Sequence, residues 1–336
     1  MRLSEVKGFK VTTTTARGLS DNLKSSLLRA VFLIAVVAIF AVQNPAFING
    51  ASIRSVIQGL VFVGIAAVFL TILITAGEFD ISVGANAALA GTLAAQYVVG
   101  GEGVADDRSP WSGLLIGVLV GLIIGLINAF VVLVGNVPSF IATIAMLFIA
   151  KSLATYIPGG KPIPGYRDSW AEQGIDFQES FFLSNFSIIV LVVMIVVGHI
   201  VLKRTHFGVV IASIGSNKEA ARTSGTQVKR VKTILFALTG AGAGLAGAVS
   251  VLHFGSIYFS LGSGWELTAI AAIVLGGTSL FGGRGTIIGL LFGLALMQTI
   301  ASGMVAVGID PWWQTVITGG IVLATLVVEQ LRRKVS

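Results

Sequence analysis

Few residues in this chain have the type and setting to do chemistry, and the acids among them come first. Glu78 and Asp80 stand in the apolar stretch Ile74-Thr75-Ala76-Gly77-Glu78-Phe79-Asp80-Ile81, and Glu266 follows Trp265 at the head of another. A carboxylate inside hydrocarbon costs several kcal/mol, so each must face water, a partner or a solute pathway. Glu266 also has a simpler reading, because Ser263 and Glu266 have the spacing of a capping box at a helix start. Lys151 poses the same question with the opposite sign: its stem lets it snorkel to an interface or reach an acid.

Other chemistries are poorly supplied. His199, His206 and His253 are scattered, whereas a zinc site needs several close ligands, so no metal is expected. The chain has no cysteine, which excludes disulfides and thiolate sites. Residues 242–247 fit G-x-G-x-x-G by letter, but they lie inside an apolar block with no strand before them, and the dinucleotide reading fails that context. No G-x-x-x-x-G-K-[ST] loop occurs, so ATP is not bound through a P-loop. A proton-relaying chain of buried acids or histidines is also missing, as is any cluster of catalytic polar residues. No enzymatic activity and no cofactor are expected, and energy for work must come from another chain.

The elements that must position these residues are membrane helices. Of 336 residues 55% are hydrophobic and 11% charged, whereas soluble domains carry about 25% charged residues. The apolar residues fall in blocks of about 20, the helix length that crosses ~30 Å of hydrocarbon. Forty-two glycines suit membrane helices, where they let backbones approach closely. The blocks predict an all-α integral membrane protein of about ten spans. They lie near 27–43, 55–76, 80–98, 112–134, 138–156, 185–203, 231–253, 265–280, 284–303 and 312–331. The first is read as a retained helix, because a long basic arm precedes it and no small-residue cleavage site follows.

Ten spans place both termini on one side. If that side is the cytoplasm, the inner segments hold most of the Lys and Arg, including Lys203, Arg204, Lys218, Arg222, Lys229, Arg230, Lys232 and Arg284. The outer segments hold Arg54, Arg108, Lys161 and Arg167 beside acids such as Glu102, Asp106, Asp107, Asp168, Glu172, Asp176 and Glu179. That bias sets orientation during insertion. The net charge of +7 thus needs no nucleic acid. The organisation is a basic cytoplasmic arm over 1–26, a membrane domain over 27–331 and a cytoplasmic tail over 332–336. The membrane domain carries an external loop at 157–184 and a basic cytoplasmic loop at 204–230.

Within the basic loop, Ser216-Asn217-Lys218-Glu219-Ala220-Ala221-Arg222 precedes Gly225. Ser216 and Glu219 have capping-box spacing, and Gly225 suits the left-handed position past a helix end. A short polar helix follows, too short to be stable alone in water, which points to another protein as its support, the alternative being a helix that merely caps the bundle. The stretches 77–84 and 276–285 each interrupt an apolar block with glycines and small polar residues. Paired broken helices point to a transport pathway, although two ordinary turns at the inner surface would give the same pattern. Asp80, Ser82, Asn86, Asn128, Ser139, Thr143, Thr278 and Ser279 are the pathway candidates. Gly117, Gly121 and Gly125, with Gly240 and Gly244, read as faces for close helix packing.

Several of these stretches carry a family resemblance. Thr205-His206-Phe207-Gly208 followed by residues 214–225 resembles the coupling segment of sugar-type ABC importer permeases, the ribose permease group. Ile74–Gly84 is similar to that family's Gly-Gly-Ile-Asp-Leu-Ser-Val-Gly signature, Asn136-Val137-Pro138-Ser139-Phe140 to its proline-led helix start, and 265–272 with 275–286 to its longest motif. The likeness covers about 55–330. Ala76, Glu78, Lys151 and Thr268 depart from the family pattern, and these departures bear on the substrate.

The resemblance implies a permease subunit in a bacterial inner membrane, passing a small polar solute such as a monosaccharide. It implies a cytoplasmic ATP-binding ABC ATPase docking at Ser216, Asn217, Lys218, Glu219, Ala220, Ala221, Arg222 and Gly225. It further implies an external substrate-binding protein and a second permease subunit, identical or not, with the pathway between the two. The alternatives are a secondary transporter or channel working alone, or an ABC permease for amino acids, nucleosides or a signalling molecule.

Overall fold

The computed structural model describes residues 14–99, 108–164, 185–258 and 260–335, with side chains omitted at 14–26, 311, 326, 328, 329 and 332–335. Residues 1–13 of the basic arm, 165–184 of the long loop, and the acids Glu102, Asp106, Asp107, Asp168, Glu172, Asp176 and Glu179 lie outside the described residues.

The described residues form one short 3-10 helix, Pro45–Ile48, and twelve α-helices. In chain order they are α1 (Thr14–Gln43), α2 (Gly50–Thr75), α3 (Val83–Val99), α4 (Pro110–Leu133), α5 (Ser139–Tyr156) and α6 (Phe186–Arg204). There follow α7 (His206–Ser216), α8 (Lys218–Thr223), α9 (Val228–Phe254), α10 (Trp265–Leu275), α11 (Ile287–Ala306) and α12 (Pro311–Val335). Ten of them fall on the ten apolar blocks in order; α7 and α8 are the additional pair, in the basic loop. Six are long and apolar enough to cross a membrane: α2, α4, α5, α6, α9 and α11. Leu27–Gln43 within α1, α3 and α10 are apolar but shorter.

The middle of the bundle is α2, whose residues from Val61 to Thr75 are almost all buried, as is most of α9 from Leu235 to Leu252. Lipid-facing helices differ: α6 buries few of its residues, and Val192, Val193, Val196 and Val197 are exposed. In hydrocarbon an exposed valine carries no penalty, so burial follows packing rather than hydrophobicity.

The glycine faces pack as their spacing predicts. A Cβ added to Gly121 would lie 2.2 Å from the Gly240 carbonyl oxygen, and one on Gly240 would lie 2.3 Å from the Gly121 oxygen. Gly117 meets Gly244, and Gly125 meets Phe236 and Gly240, in the same way. The α4 and α9 backbones therefore touch along three turns, and no side chain fits between them.

Candidate functional site

Two glycine turns are built alike. Helix α2 closes with Gly77 at φ 79°, its N–H donating to Ile74 and that of Glu78 to Leu73. Helix α10 closes with Gly277 at φ 91°, its N–H donating to Val274 and that of Thr278 to Ile273. Both are left-handed helix ends of the same hydrogen-bond pattern, which glycine adopts without steric cost. They meet at one point. The Gly283 N–H donates to Thr75 O at 2.9 Å, and Gly215, near the end of α7, packs directly against both groups. A Cβ on Gly215 would lie 2.0 Å from Thr75 O and 2.4 Å from Gly283 N. The last turn of α7 thus touches both breaks at once.

Helix α8 follows directly, and its start differs from the capping box read at Ser216 and Glu219. Ser216 is the last residue of α7, and Asn217 is the cap, accepting the Ala220 N–H at 2.9 Å. The physical reason is continuity: α7 runs through 216, so only Asn217, extended at φ −157°, can turn the chain into a new helix. At the other end Gly225 is left-handed at φ 86°, its N–H reaching Arg222 O and that of Thr226 reaching Ala221 O. The helix is also less isolated than its polarity predicts. Ala221 packs with Ile214 and Val228, so the chain itself anchors it. Glu219 and Arg222 form an exposed pair at 3.4 Å, of the kind that contributes little to stability. Their side chains remain available to a partner.

Beside α8 lies a cavity of about 770 Å³. It is lined by Lys218, Glu219 and Arg222 of α8, by 136–139, and by Glu78 with Lys232. Glu78 and Lys232 form an ion pair, their side chains 14% and 5% exposed. It links the turn after α2 to the start of α9. Sequence reasoning singled out Glu78 but not its partner, whose signal was a lysine at the edge of an apolar block.

Six of the eight pathway candidates pack around the turn between α2 and α3. Ser82 donates to Asp80 Oδ1 through its N–H at 2.9 Å and its hydroxyl at 2.5 Å. Asn128 Nδ2 reaches Asp80 Oδ2 at 3.3 Å and Ser82 Oγ at 3.0 Å. Ser139 Oγ accepts the Phe79 N–H at 3.2 Å, and Thr143 Oγ1 accepts that of Ile81 at 3.1 Å. Asn86 Nδ2 lies 3.5 Å and 3.4 Å from the Gly121 and Gly240 oxygens. Thr278 and Ser279 sit apart, bonding the Thr286 and Phe281 N–H groups within the second turn. All eight are buried. A hydrogen-bonded polar cluster of this kind fixes the turn between α2 and α3 against α4 and α5.

Glu266 departs from its capping-box reading too. Gly264, left-handed at φ 80°, precedes α10 with no side-chain cap. The Glu266 carboxylate packs against Gly84 and shares a small enclosed space with Lys151.

A different cavity lies toward the other end of α2. Gly59 and Thr75 are sixteen residues apart, about 24 Å along a helix. Around Gly59, Phe62 and Val63 opens a space of about 710 Å³, also lined by Tyr258, Trp265, Thr268 and Gln298. The Phe62 and Trp265 rings are nearly parallel with centroids 6.5 Å apart. Ser256 and Ser260 add hydroxyls, and among the described residues none of those lining it carries a charge. Sequence reasoning noted Thr268 as unusual but missed the rest; a lone Gln298 inside an apolar block was the available signal. Such a lining offers ring faces and neutral hydrogen-bonding groups, which suits an uncharged polar solute.

Comparison with known proteins agrees in kind. The family model described as branched-chain amino acid transport system / permease component matches residues 52–326. The ribose import permease protein RbsC of Bacillus subtilis is 34% identical over 299 residues, 89% of this chain and 90% of its own. The galactose/methyl galactoside import permease protein MglC of Haemophilus influenzae is 32% identical over 324 residues, 93% and 96% of the two chains. The probable ABC transporter permease protein YphD of Escherichia coli is 31% identical over 327 residues, 94% of each. No solved structure matches the chain.

Proposed function

The chain belongs to the branched-chain amino acid transport system / permease component family, and from that premise we propose that it forms the membrane pathway for an uncharged, sugar-like solute. It is a permease subunit of an ABC importer in the cell inner membrane, not an enzyme, and its ATPase and substrate-binding partners are separate chains.

The observation that carries the solute reading is the uncharged cavity of ring faces and hydroxyls around Phe62, Trp265, Thr268 and Gln298. An amino acid brings an ammonium and a carboxylate, and burying either without a partner is costly. A monosaccharide has an apolar ring face and neutral hydroxyls, which such a lining satisfies. The relatives' names, ribose and galactose import permeases, point the same way.

In this reading ten spans cross the membrane with both termini cytoplasmic, so the α7–α8 end faces the ATPase and the aromatic cavity faces outward. Positive charge around α8 supports that orientation. The ATPase engages Ser216, Asn217, Lys218, Glu219, Ala220, Ala221, Arg222 and Gly225, of which Glu219 and Arg222 offer exposed side chains. Movement of α8 passes through Gly215 to both glycine turns. Asp80, Ser82, Asn86, Asn128, Ser139, Thr143, Thr278 and Ser279 serve the route as fixed joints of those turns. A second permease subunit completes the pathway.

The test is ATP-driven uptake into vesicles holding the permease, its ATPase and its binding protein. Labelled ribose or galactose should enter and labelled leucine should not. Trp265→Ala and Gln298→Ala should lower sugar uptake while leaving the assembly intact. Leucine uptake unaffected by either substitution overturns the solute reading, and uptake by the permease without ATPase overturns the importer mechanism.

A further inference from the structure

We propose that a second basic cavity, framed by α1, the α6–α7 junction and the turn before α11, binds the phosphate of an anionic phospholipid. The cavity holds about 690 Å³ and gathers Arg29, Lys203, Arg204 and Arg284, with His199 beside them. No acid lines it. Among the described residues the ion pairs are Glu219–Arg222 and Glu78–Lys232, so none of these four cations has a carboxylate within 4.0 Å.

Insertion bias accounts for cations at this end of the molecule, but not for where Arg29 points. It belongs to the peripheral α1, whose Leu28 and Phe32 are exposed. Yet its guanidinium turns inward over the second glycine turn, where a Cβ on Gly277 would lie 2.8 Å from its Nη2. The residue is half-buried. A guanidinium turned into a cavity lined with other cations favours an anion there, and its planar fork matches a phosphate. A further unmet group lies in the same wall: His199 Nδ1 is buried with no hydrogen-bond partner.

Phosphate is common to lipid headgroups and to free anions. The surroundings favour the lipid. Ile288 lines the cavity and is 62% exposed, and the exposed face of α1 adjoins it, so acyl chains have apolar surface next to the headgroup. Basic pockets between membrane helices at the cytoplasmic side take anionic headgroups in this way.

The test uses the full chain in nanodiscs of phosphatidylcholine with or without phosphatidylglycerol, read by native mass spectrometry and thermal melting. Wild type should retain phosphatidylglycerol after delipidation and melt higher when it is present. Arg29→Gln with Arg284→Gln should reduce retention roughly tenfold or more, two charge-assisted contacts being lost. Lys229→Gln with Arg230→Gln removes the same charge beside the other cavity and should leave retention unchanged. Arg284→Gln alone, at an exposed position, should give a partial loss even if the double variant folds poorly. Equal loss in the Lys229/Arg230 control, or full retention by Arg284→Gln, overturns the site. Stabilisation by millimolar inorganic phosphate with no preference for phosphatidylglycerol overturns the lipid as its occupant.

Discussion

Replacing Glu78 by Gln leaves Lys232 charged, 5% exposed and without its counter-ion. Breaking a buried pair from one side costs about 3–5 kcal/mol, because the surviving charge stays desolvated. Two features lower that here. The pair borders a cavity of about 770 Å³ through which water can approach Lys232, and the Gln carbonyl can still accept from its ammonium. We therefore expect a loss of about 2 kcal/mol in unfolding free energy. Lys232→Met should cost a similar amount by stranding Glu78. The double variant Glu78→Gln with Lys232→Met should recover most of the loss, since neither side chain then carries a charge to desolvate. Equilibrium unfolding in mixed detergent micelles measures all four species, and the coupling energy should reach at least about 1 kcal/mol. Single variants within about 0.5 kcal/mol of wild type, or a double variant equal to the sum of the singles, would refute the pair as a structural lock.

Further substitutions at Asn217, Gly121, Gly319 and Asp80 probe the joints and the start of α8. Asn217→Ala removes the cap of α8 and should cost about 0.5–2 kcal/mol locally, read as weaker transport-coupled ATP hydrolysis with an unchanged melting temperature of the bundle. Gly121→Ala places a methyl group against the Gly240 carbonyl and should destabilise by about 1–3 kcal/mol. Gly319→Ala, with open space around it, should be neutral in the same unfolding assay. Asp80→Ala strips Ser82 and Asn128 of their shared acceptor and should cost about 1–3 kcal/mol, whereas Asp80→Asn keeps one carbonyl oxygen and should cost less.

The arrangement gives a route by which a push on α8 reaches the membrane helices. Helix α8 is joined to α7 through Asn217, and the last turn of α7 packs Gly215 against Thr75 and Gly283. A side chain at 215 would separate the two turns, so close contact there is a condition of the geometry. The Asp80 knot and the Glu78–Lys232 pair hold the first turn to α4, α5 and α9. Helix α8 is thereby connected to the membrane helices through packed contacts rather than a loose loop.

Much of this protein is determined by its sequence alone, because the governing rules are local or compositional. Too few charges for a wetted surface and apolar blocks of helical length are enough to require membrane helices. Spacing within one helix places Gly117, Gly121 and Gly125 on one face and makes Gly225 a helix end. Short-range signals failed where two neighbouring elements compete. Ser216 is absorbed into α7, which passes the cap to Asn217, and a left-handed Gly264 displaces Ser263 from the start of α10. Only the tertiary structure decided the remaining features. Glu78 finds Lys232 across 154 positions, the two glycine turns converge on Gly215, and Phe62, Trp265 and Gln298 come to line one cavity. Each depends on how α2 is wrapped by α9, α10 and α11, and packing between distant helices leaves no periodic mark in the chain.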